Sequence, residues 1–211
     1  MVPVVFPDSG TVWLFCATAV ALLIIPGPAV LYVVVQGAEQ GRRVGLASVA
    51  GIHVGTLVHV AAATVGLSAL IVASALAFSV VKYAGAVYLV YVGVRKLLGR
   101  DELAGDGAGR RTSYRRAFAR GALVNVLNPK TALFFLALLP QFVDPERGGI
   151  WSQALVLGLV FVALGVVSDS LYALAAGTVG GVLRRRTRTM RYGSGAIFVG
   201  LGAAAALARR N

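Results

Sequence analysis

The sequence contains few charged residues, and this is its most informative feature. Only 13% of its 211 residues are Asp, Glu, Lys or Arg, whereas an ordinary soluble domain carries about 25%. Apolar residues make up 58% of the chain, and its mean hydropathy is +0.81. So few charges could not cover the surface of a soluble protein of this length, and we therefore expect an integral membrane protein. The single cysteine, Cys16, excludes an internal disulfide framework.

Acidic residues are the rarer of the two signs, with 8 of them against 20 Lys and Arg and a net charge of +12. A basic balance of this size is typical of nucleic-acid-binding proteins. Here, however, the basic residues occur in short segments between apolar runs, without aromatic residues among them. That pattern favours loops that flank a membrane and contact anionic lipid, and we expect no nucleic-acid partner.

Six apolar runs are long enough to cross about 30 Å of hydrocarbon. They cover roughly 11–36, 46–73, 77–98, 117–140, 151–177 and 191–208. No basic residue precedes the first run and no clear cleavage site follows it, so we expect a retained helix there instead of a signal peptide. The segment at about 99–116 is rich in Gly and Arg. It indicates a flexible basic linker within a single transmembrane domain.

The basic residues also predict an orientation. Fifteen of the 20 lie in the segments that join runs one and two, three and four, or five and six, or at the ends of those runs next to these segments. The opposite side holds only Lys82, Arg147, Arg209 and Arg210. Because cytoplasmic loops carry the excess of Lys and Arg, we expect both termini to lie outside the cytoplasm of a bacterial inner membrane.

The two halves of the chain resemble each other. The stretches KYAGAVYLVYVG (82–93) and RYGSGAIFVGLG (191–202) align without a gap, and the tripeptides PGP (26–28) and NPK (128–130) fall at matching places in the first and fourth runs. Three spans are an odd number, so the second half would be inverted relative to the first. We therefore predict an all-α fold of two inverted three-helix repeats, about 11–98 and 117–208, with broken first and fourth helices.

Both tripeptides also look like helix starts inside the membrane. Proline breaks the helix before it and suits the first position of the next one, and Asn is a good N-cap. A restarted helix presents free N–H groups and partial positive charge, which favour a carboxylate. A lone proline would indicate only a packing kink, but two matched breaks favour a binding site. The candidate substrate-binding residues are Pro26, Gly27, Pro28, Asn128, Pro129 and Lys130.

Longer stretches resemble a known family. IPGPAVLYVV, GRRVGLASVAGIHVG and GALVNVLNPKTALFFLALLPQF are similar to the lysine-exporter and homoserine/threonine-resistance family. The likeness covers nearly the whole chain, and the N-P-K-x-A-L-F-F run followed by P-Q-F is its most specific part. The resemblance implies a small bacterial inner-membrane carrier that exports amino acids or their derivatives by proton antiport. It does not indicate which amino acid is carried.

Asp169 lies deep in the fifth run, in a stripe of small residues with Tyr172 one turn on. A carboxylate in the bilayer is expected to face the bundle interior or water. Three roles stay open for Asp169: holding the ammonium of the substrate, carrying the coupling proton, or pairing with Lys130. Asp169 and Tyr172 join the candidate substrate site.

His53 and His59 lie in the second run, about 120° apart on a helix, so they cannot bind one metal from one face. His59 shares a line with Gly51 and Gly55, which favours packing against a neighbouring helix. His53 is freer and is the second candidate, beside Asp169, for proton coupling.

Two other classes of function compete with a carrier. An intramembrane enzyme would need a nucleophile and base or a metal cluster, and a channel would need a ring of charges or a filter-like run. We find neither pattern in the sequence, and expect no metal and no cofactor. The expected partners are a zwitterionic amino acid, protons and lipid, with a homodimer as an open alternative.

Overall fold

The structure, a computed structural model, describes residues 4–73 and 112–176, with single positions at 87, 90, 91, 94, 98, 196, 199, 200 and 203. Among these residues there are helices and no strand. Apart from these single positions, the third and sixth predicted spans lie outside the described residues, as does most of the basic linker. The inverted duplication therefore stays a prediction.

Six α-helices make up the described part of the chain. They are α1 (Ser9–Ile24), α2 (Pro28–Gln40), α3 (Arg42–Ala73), α4 (Tyr114–Val126), α5 (Pro129–Leu133) and α6 (Ile150–Leu174). A π-helical turn over Phe134–Leu138 and a 3₁₀ turn over Leu139–Phe142 continue α5.

Apolar helices of membrane-spanning length confirm the membrane class. Helix α6 and the Arg42–Gly66 part of α3 are each 25 residues long and apolar enough to cross a bilayer. The α1–α2 pair and the pair formed by α4 and Pro129–Phe142 also qualify, with bends of 53° and 45°. The first and fourth spans are thus broken, as the prolines predict.

The first predicted loop is much shorter than expected. Helix α2 continues to Gln40 and α3 begins at Arg42, so Gly41 alone joins them, with φ of 95°. Glycine reaches this left-handed region without the steric cost that a Cβ brings. The predicted linker is also shorter at its end, because Ser113 caps α4 and the helix begins at Tyr114.

Helix α3 is central and packs against α2, α4 and α6. Glycines allow its close approach to α4: a Cβ at Gly55 would lie 2.7 Å from the Ala122 carbonyl oxygen, and one at Gly121 would lie 2.6 Å from that of Ser48. Small residues bring membrane helices together in this way. The crossing fixes the side chains of α3 relative to the α4–α5 break.

An aromatic cluster fills the bundle toward the end that carries the start of α1. Phe134 stacks on Phe161 with ring centroids 4.4 Å apart, and Phe15 meets Phe134 and Phe142 edge-on at 5.6 and 5.3 Å. The start of α1 is itself capped by Asp8, whose carboxylate accepts the Thr11 N–H at 3.0 Å.

Candidate functional site

The two helix breaks are built alike. A proline has no N–H for the carbonyl four residues before it, so Ile24 O and Asn125 O both lack the usual helical donor, and Asn125 O instead accepts the Asn128 N–H at 3.0 Å. In each break a side chain from another helix contacts that carbonyl. The Tyr172 hydroxyl donates to Ile24 O at 2.8 Å, and His59 Nε2 lies 3.0 Å from Asn125 O.

These contacts give Tyr172 and His59 definite positions. The Tyr172 hydroxyl provides the missing hydrogen bond to the last carbonyl of α1. The sequence did not indicate this role. His59 packs against α4 at Asn125 and stacks on Phe135, with ring centroids 6.2 Å apart. The packing role predicted for His59 is therefore confirmed.

Lys130 joins one break to the other. Its Nζ donates to Ile25 O at 2.6 Å, and the residue is only 8% exposed. The side chain passes over Gly27, where a Cβ would lie 3.0 Å from Lys130 Cδ. The missing side chain at Gly27 thus leaves room for the lysine, and its amino group lies between α1, α2 and α5.

The two restarted helices differ at their N-termini. Asn128 caps α5, since its Oδ1 accepts the Lys130 N–H at 3.0 Å. Helix α2 begins after Gly27 and has no side-chain cap. The start of α2 therefore keeps the unpaired N–H groups that make a helix N-terminus attractive to an anion.

Asn125 organises the second break and was not predicted. Its Nδ2 donates to Ile52 O at 3.0 Å and to Thr56 Oγ1 at 2.8 Å. Its Oδ1 accepts from Asn128 at 3.2 Å and from Thr131 at 3.0 Å. The residue ties the break to α3. The available signal was a second Asn three positions before Asn128 in an otherwise apolar stretch.

His53 and Asp169 form a buried pair between α3 and α6. His53 Nε2 lies 3.1 Å from Asp169 Oδ2, and the two residues are 6% and 3% exposed. The contact is within ion-pair distance but is not aligned as a hydrogen bond. Gly165 makes the room, because a Cβ there would lie 2.6 Å from His53 Cε1.

Both residues of this pair also have buried polar atoms that make no hydrogen bond to the described residues. Among the residues that the structure describes, His53 Nδ1 and Asp169 Oδ1 are buried without a hydrogen-bond partner. A buried polar atom that is left unpaired is costly. The expected stripe around Asp169 is confirmed where it is described, since Gly158, Gly165 and Ala173 are buried with it.

A small cavity of about 30 Å³ connects these features. This is room for a few water molecules at most, against at least about 300 Å³ for a typical ligand pocket. Of the predicted site residues, Gly27, Asn128, Lys130, Asp169 and His53 line it. The other lining residues are Leu22, Leu23, Ala29, Val30, Ile52, Thr56, Asn125, Thr131 and Phe161.

The remaining predicted residues do not line the cavity. Pro26, Pro28 and Pro129 lie in the two helix breaks, and Tyr172 contacts the end of α1. Over residues 4–73 and 112–176 no three His, Cys, Asp or Glu side chains lie close enough together to hold a metal. The cavity combines one carboxylate, one ammonium group and one imidazole with an apolar wall.

Apolar helices of spanning length around a small polar cavity define a membrane protein with an internal site. Residues 20–209 match the family model described as LysE type translocator. The chain therefore belongs to the LysE type translocator family, as the resemblance predicted.

Relatives of this chain include named efflux proteins. It is 33% identical over 201 residues to an uncharacterized membrane protein of Vibrio cholerae (94% of this chain, 98% of the relative). It is 30% identical over 197 residues to a homoserine/homoserine lactone efflux protein of Salmonella typhimurium (92% and 95%). It is 26% identical over 197 residues to a leucine efflux protein of an Enterobacter species (90% and 92%). No solved structure is significantly similar.

Proposed function

We propose that this protein is a secondary exporter of amino acids or their derivatives across the bacterial cytoplasmic membrane, driven by proton entry. Membership of a translocator family and relatives named for homoserine and leucine efflux support export. The single observation that carries the mechanism is the His53–Asp169 pair, 3.1 Å apart in the same cavity as Lys130.

The carboxylate of the substrate binds at the start of α2. That helix has no side-chain cap, and Lys130 lies beside it. Because Lys130 Nζ now donates to Ile25 O, binding would draw the ammonium group from the carbonyl to the carboxylate. Charge-assisted pairs are stronger than a bond to a neutral carbonyl. Binding therefore loosens a contact between the two breaks.

The ammonium of the substrate binds at Asp169, whose Oδ1 is buried without a partner among the described residues. A proton that enters from outside competes for the same carboxylate, with His53 as its neighbour. One site that takes either a proton or an ammonium group supports exchange, because the two cannot occupy it together.

The cavity of about 30 Å³ is too small for an amino acid. We assign it to the state between loading and release, in which both sides are closed to the substrate. Loading then requires the helices around the cavity to separate. Rocking of one half against the other, as in carriers built from inverted repeats, supplies this motion.

The decisive experiment is efflux from proteoliposomes with an acidic medium outside. An Asp169→Asn variant should lose acceleration by external acid, and it should also exchange substrate more slowly at equal pH because the same carboxylate binds the substrate ammonium. An Asp144→Asn variant is the matched control, since Asp144 is an exposed loop carboxylate. Acid-driven efflux that persists in Asp169→Asn would remove this residue from proton coupling, and flux that never saturates would favour a channel.

We further propose that both termini face away from the cytoplasm, because 15 of 20 basic residues lie on the other side. A C-terminal fusion to an alkaline phosphatase that folds only in the periplasm should be active. An inactive fusion at normal expression would reverse the topology.

A further inference from the structure

The acidic residues of the whole chain set a limit on what the site can bind. Of 8 Asp and Glu residues, Asp169 alone lies inside a predicted span. The other seven lie near the start of α1, at the exposed end of α2, in the basic segment 99–116, or in the loop before α6. They are Asp8, Glu39, Asp101, Glu102, Asp106, Asp144 and Glu146. No second carboxylate therefore lies in any of the six predicted spans.

The charges that line the cavity match one zwitterion. Lys130 can pair with a carboxylate and Asp169 with an α-ammonium group, and each is at most 8% exposed. His53, if protonated, adds positive charge and not negative charge. After a zwitterion has bound, a second cationic group would have no carboxylate left to pair with.

Among the residues that the structure describes, the rest of the wall supplies no second negative charge to such a group. Leu22, Leu23, Val30, Ile52 and Phe161 supply its apolar part. The hydroxyl groups of the wall are held by Asn125, since Thr56 Oγ1 accepts from its Nδ2 at 2.8 Å and Thr131 Oγ1 donates to its Oδ1 at 3.0 Å, and as neutral groups they supply no negative charge. A buried charge without a partner is strongly disfavoured.

We propose that the site takes zwitterionic amino acids whose side chain carries no positive charge, and rejects lysine, ornithine and arginine. This selectivity rests on the proposed export function. Its physical basis is the single membrane-embedded carboxylate, which the α-ammonium group occupies.

Counterflow in proteoliposomes tests the selectivity with a matched pair of probes. Norleucine and lysine share the same carbon chain and differ in the terminal ammonium group. We expect norleucine to exchange about 100-fold faster than lysine, the ratio implied by the usual cost of an unpaired charge in the bilayer. Equal exchange of the two would overturn the selectivity and leave the export function intact. Failure of every amino acid to exchange would instead contradict the export function.

A pair of variants tests whether the lack of a second carboxylate is the cause of this selectivity. In Thr56→Asp the new carboxylate can still accept from Asn125 Nδ2, as the hydroxyl does at 2.8 Å, and it adds the missing negative charge to the wall. Thr56→Asn is the uncharged control of nearly equal shape. Lysine exchange should be at least tenfold faster in the Asp variant than in the Asn variant, as charge pairing predicts. A monodisperse Asp variant without this gain would overturn the charge argument, and if that variant does not fold, the comparison of the two probes in the wild-type protein decides.

Discussion

Gly165→Ala should disconnect the pair that we assign to proton coupling while leaving the fold intact. The added Cβ would lie 2.6 Å from His53 Cε1, whereas ordinary contacts begin at 3.4 Å. The imidazole must therefore retreat by about 0.8 Å, which is the difference between these distances. Direct proton transfer needs the two atoms within about 2.6–3.2 Å of each other, and the present 3.1 Å contact with Asp169 would lengthen beyond that reach.

Gly158→Ala is the matched control on the same face of α6. Its Cβ would lie 2.7 Å from Val60 Cγ1, so it overpacks the same α3–α6 contact with the same methyl group. Overpacking of this kind costs about 1–3 kcal/mol. We expect both variants to lose similar stability in thermal unfolding of the purified protein.

The two variants should differ in their rates of acid-driven efflux. With external acid, efflux from proteoliposomes should fall about tenfold or more in Gly165→Ala, since a displacement of about 1 Å disrupts precise polar geometry. It should stay near the wild-type rate in Gly158→Ala. Equal rates in the two variants, at equal amounts of folded protein, would show that the His53–Asp169 contact does not couple protons.

Three further results are expected. Lys130→Ala should reduce amino-acid export at least about tenfold, because it removes the ammonium group beside the uncapped start of α2; full transport would exclude the lysine from the mechanism. Tyr172→Phe should lower the free energy of unfolding by about 1 kcal/mol, because Ile24 O loses its donor; unchanged denaturation would contradict this. Hydrogen bonds from Thr11 lower the pKa of Asp8 below its usual 3.8. The charged form of Asp8 thus stabilises the protein fully at pH values above its ordinary pKa of 3.8. This stabilisation is lost as the pH falls through the lowered pKa of the folded protein. Wild type and Asp8→Asn should therefore differ in thermal midpoint at neutral pH and converge in acid. A difference in midpoint that does not change with pH would show that the charge of Asp8 does not contribute in this way.

The helix breaks could be predicted from sequence because their cause is local. Proline lacks an N–H wherever it occurs, so the bends of 53° and 45° follow from the positions of Pro28 and Pro129. The membrane class follows equally directly from composition. The extent of the first loop was wrong because hydropathy fades before a helix ends, whereas Gly41 alone makes the turn.

The groups that satisfy the breaks could not be predicted in the same way. Tyr172 and His59 each reach a carbonyl on another helix, and such contacts depend on crossing geometry that no local pattern encodes. Asn125 shows the same limit, since its partners Ile52 and Thr56 lie on α3. Sequence reasoning left three roles open for Asp169. It named His53 independently for proton coupling, without the 3.1 Å contact between them.

The amino-acid sequence by itself determined that this chain lies in a membrane, where its first and fourth spans break, and that its predicted spans hold a single carboxylate. These properties depend on composition and on the covalent structure of proline. Tertiary structure alone decided that Lys130 reaches the carbonyl of Ile25 and that His53 lies against Asp169. The physical reason is that glycines at 27 and 165 leave the space into which those side chains fit, and a missing side chain has an effect only when another helix packs against it.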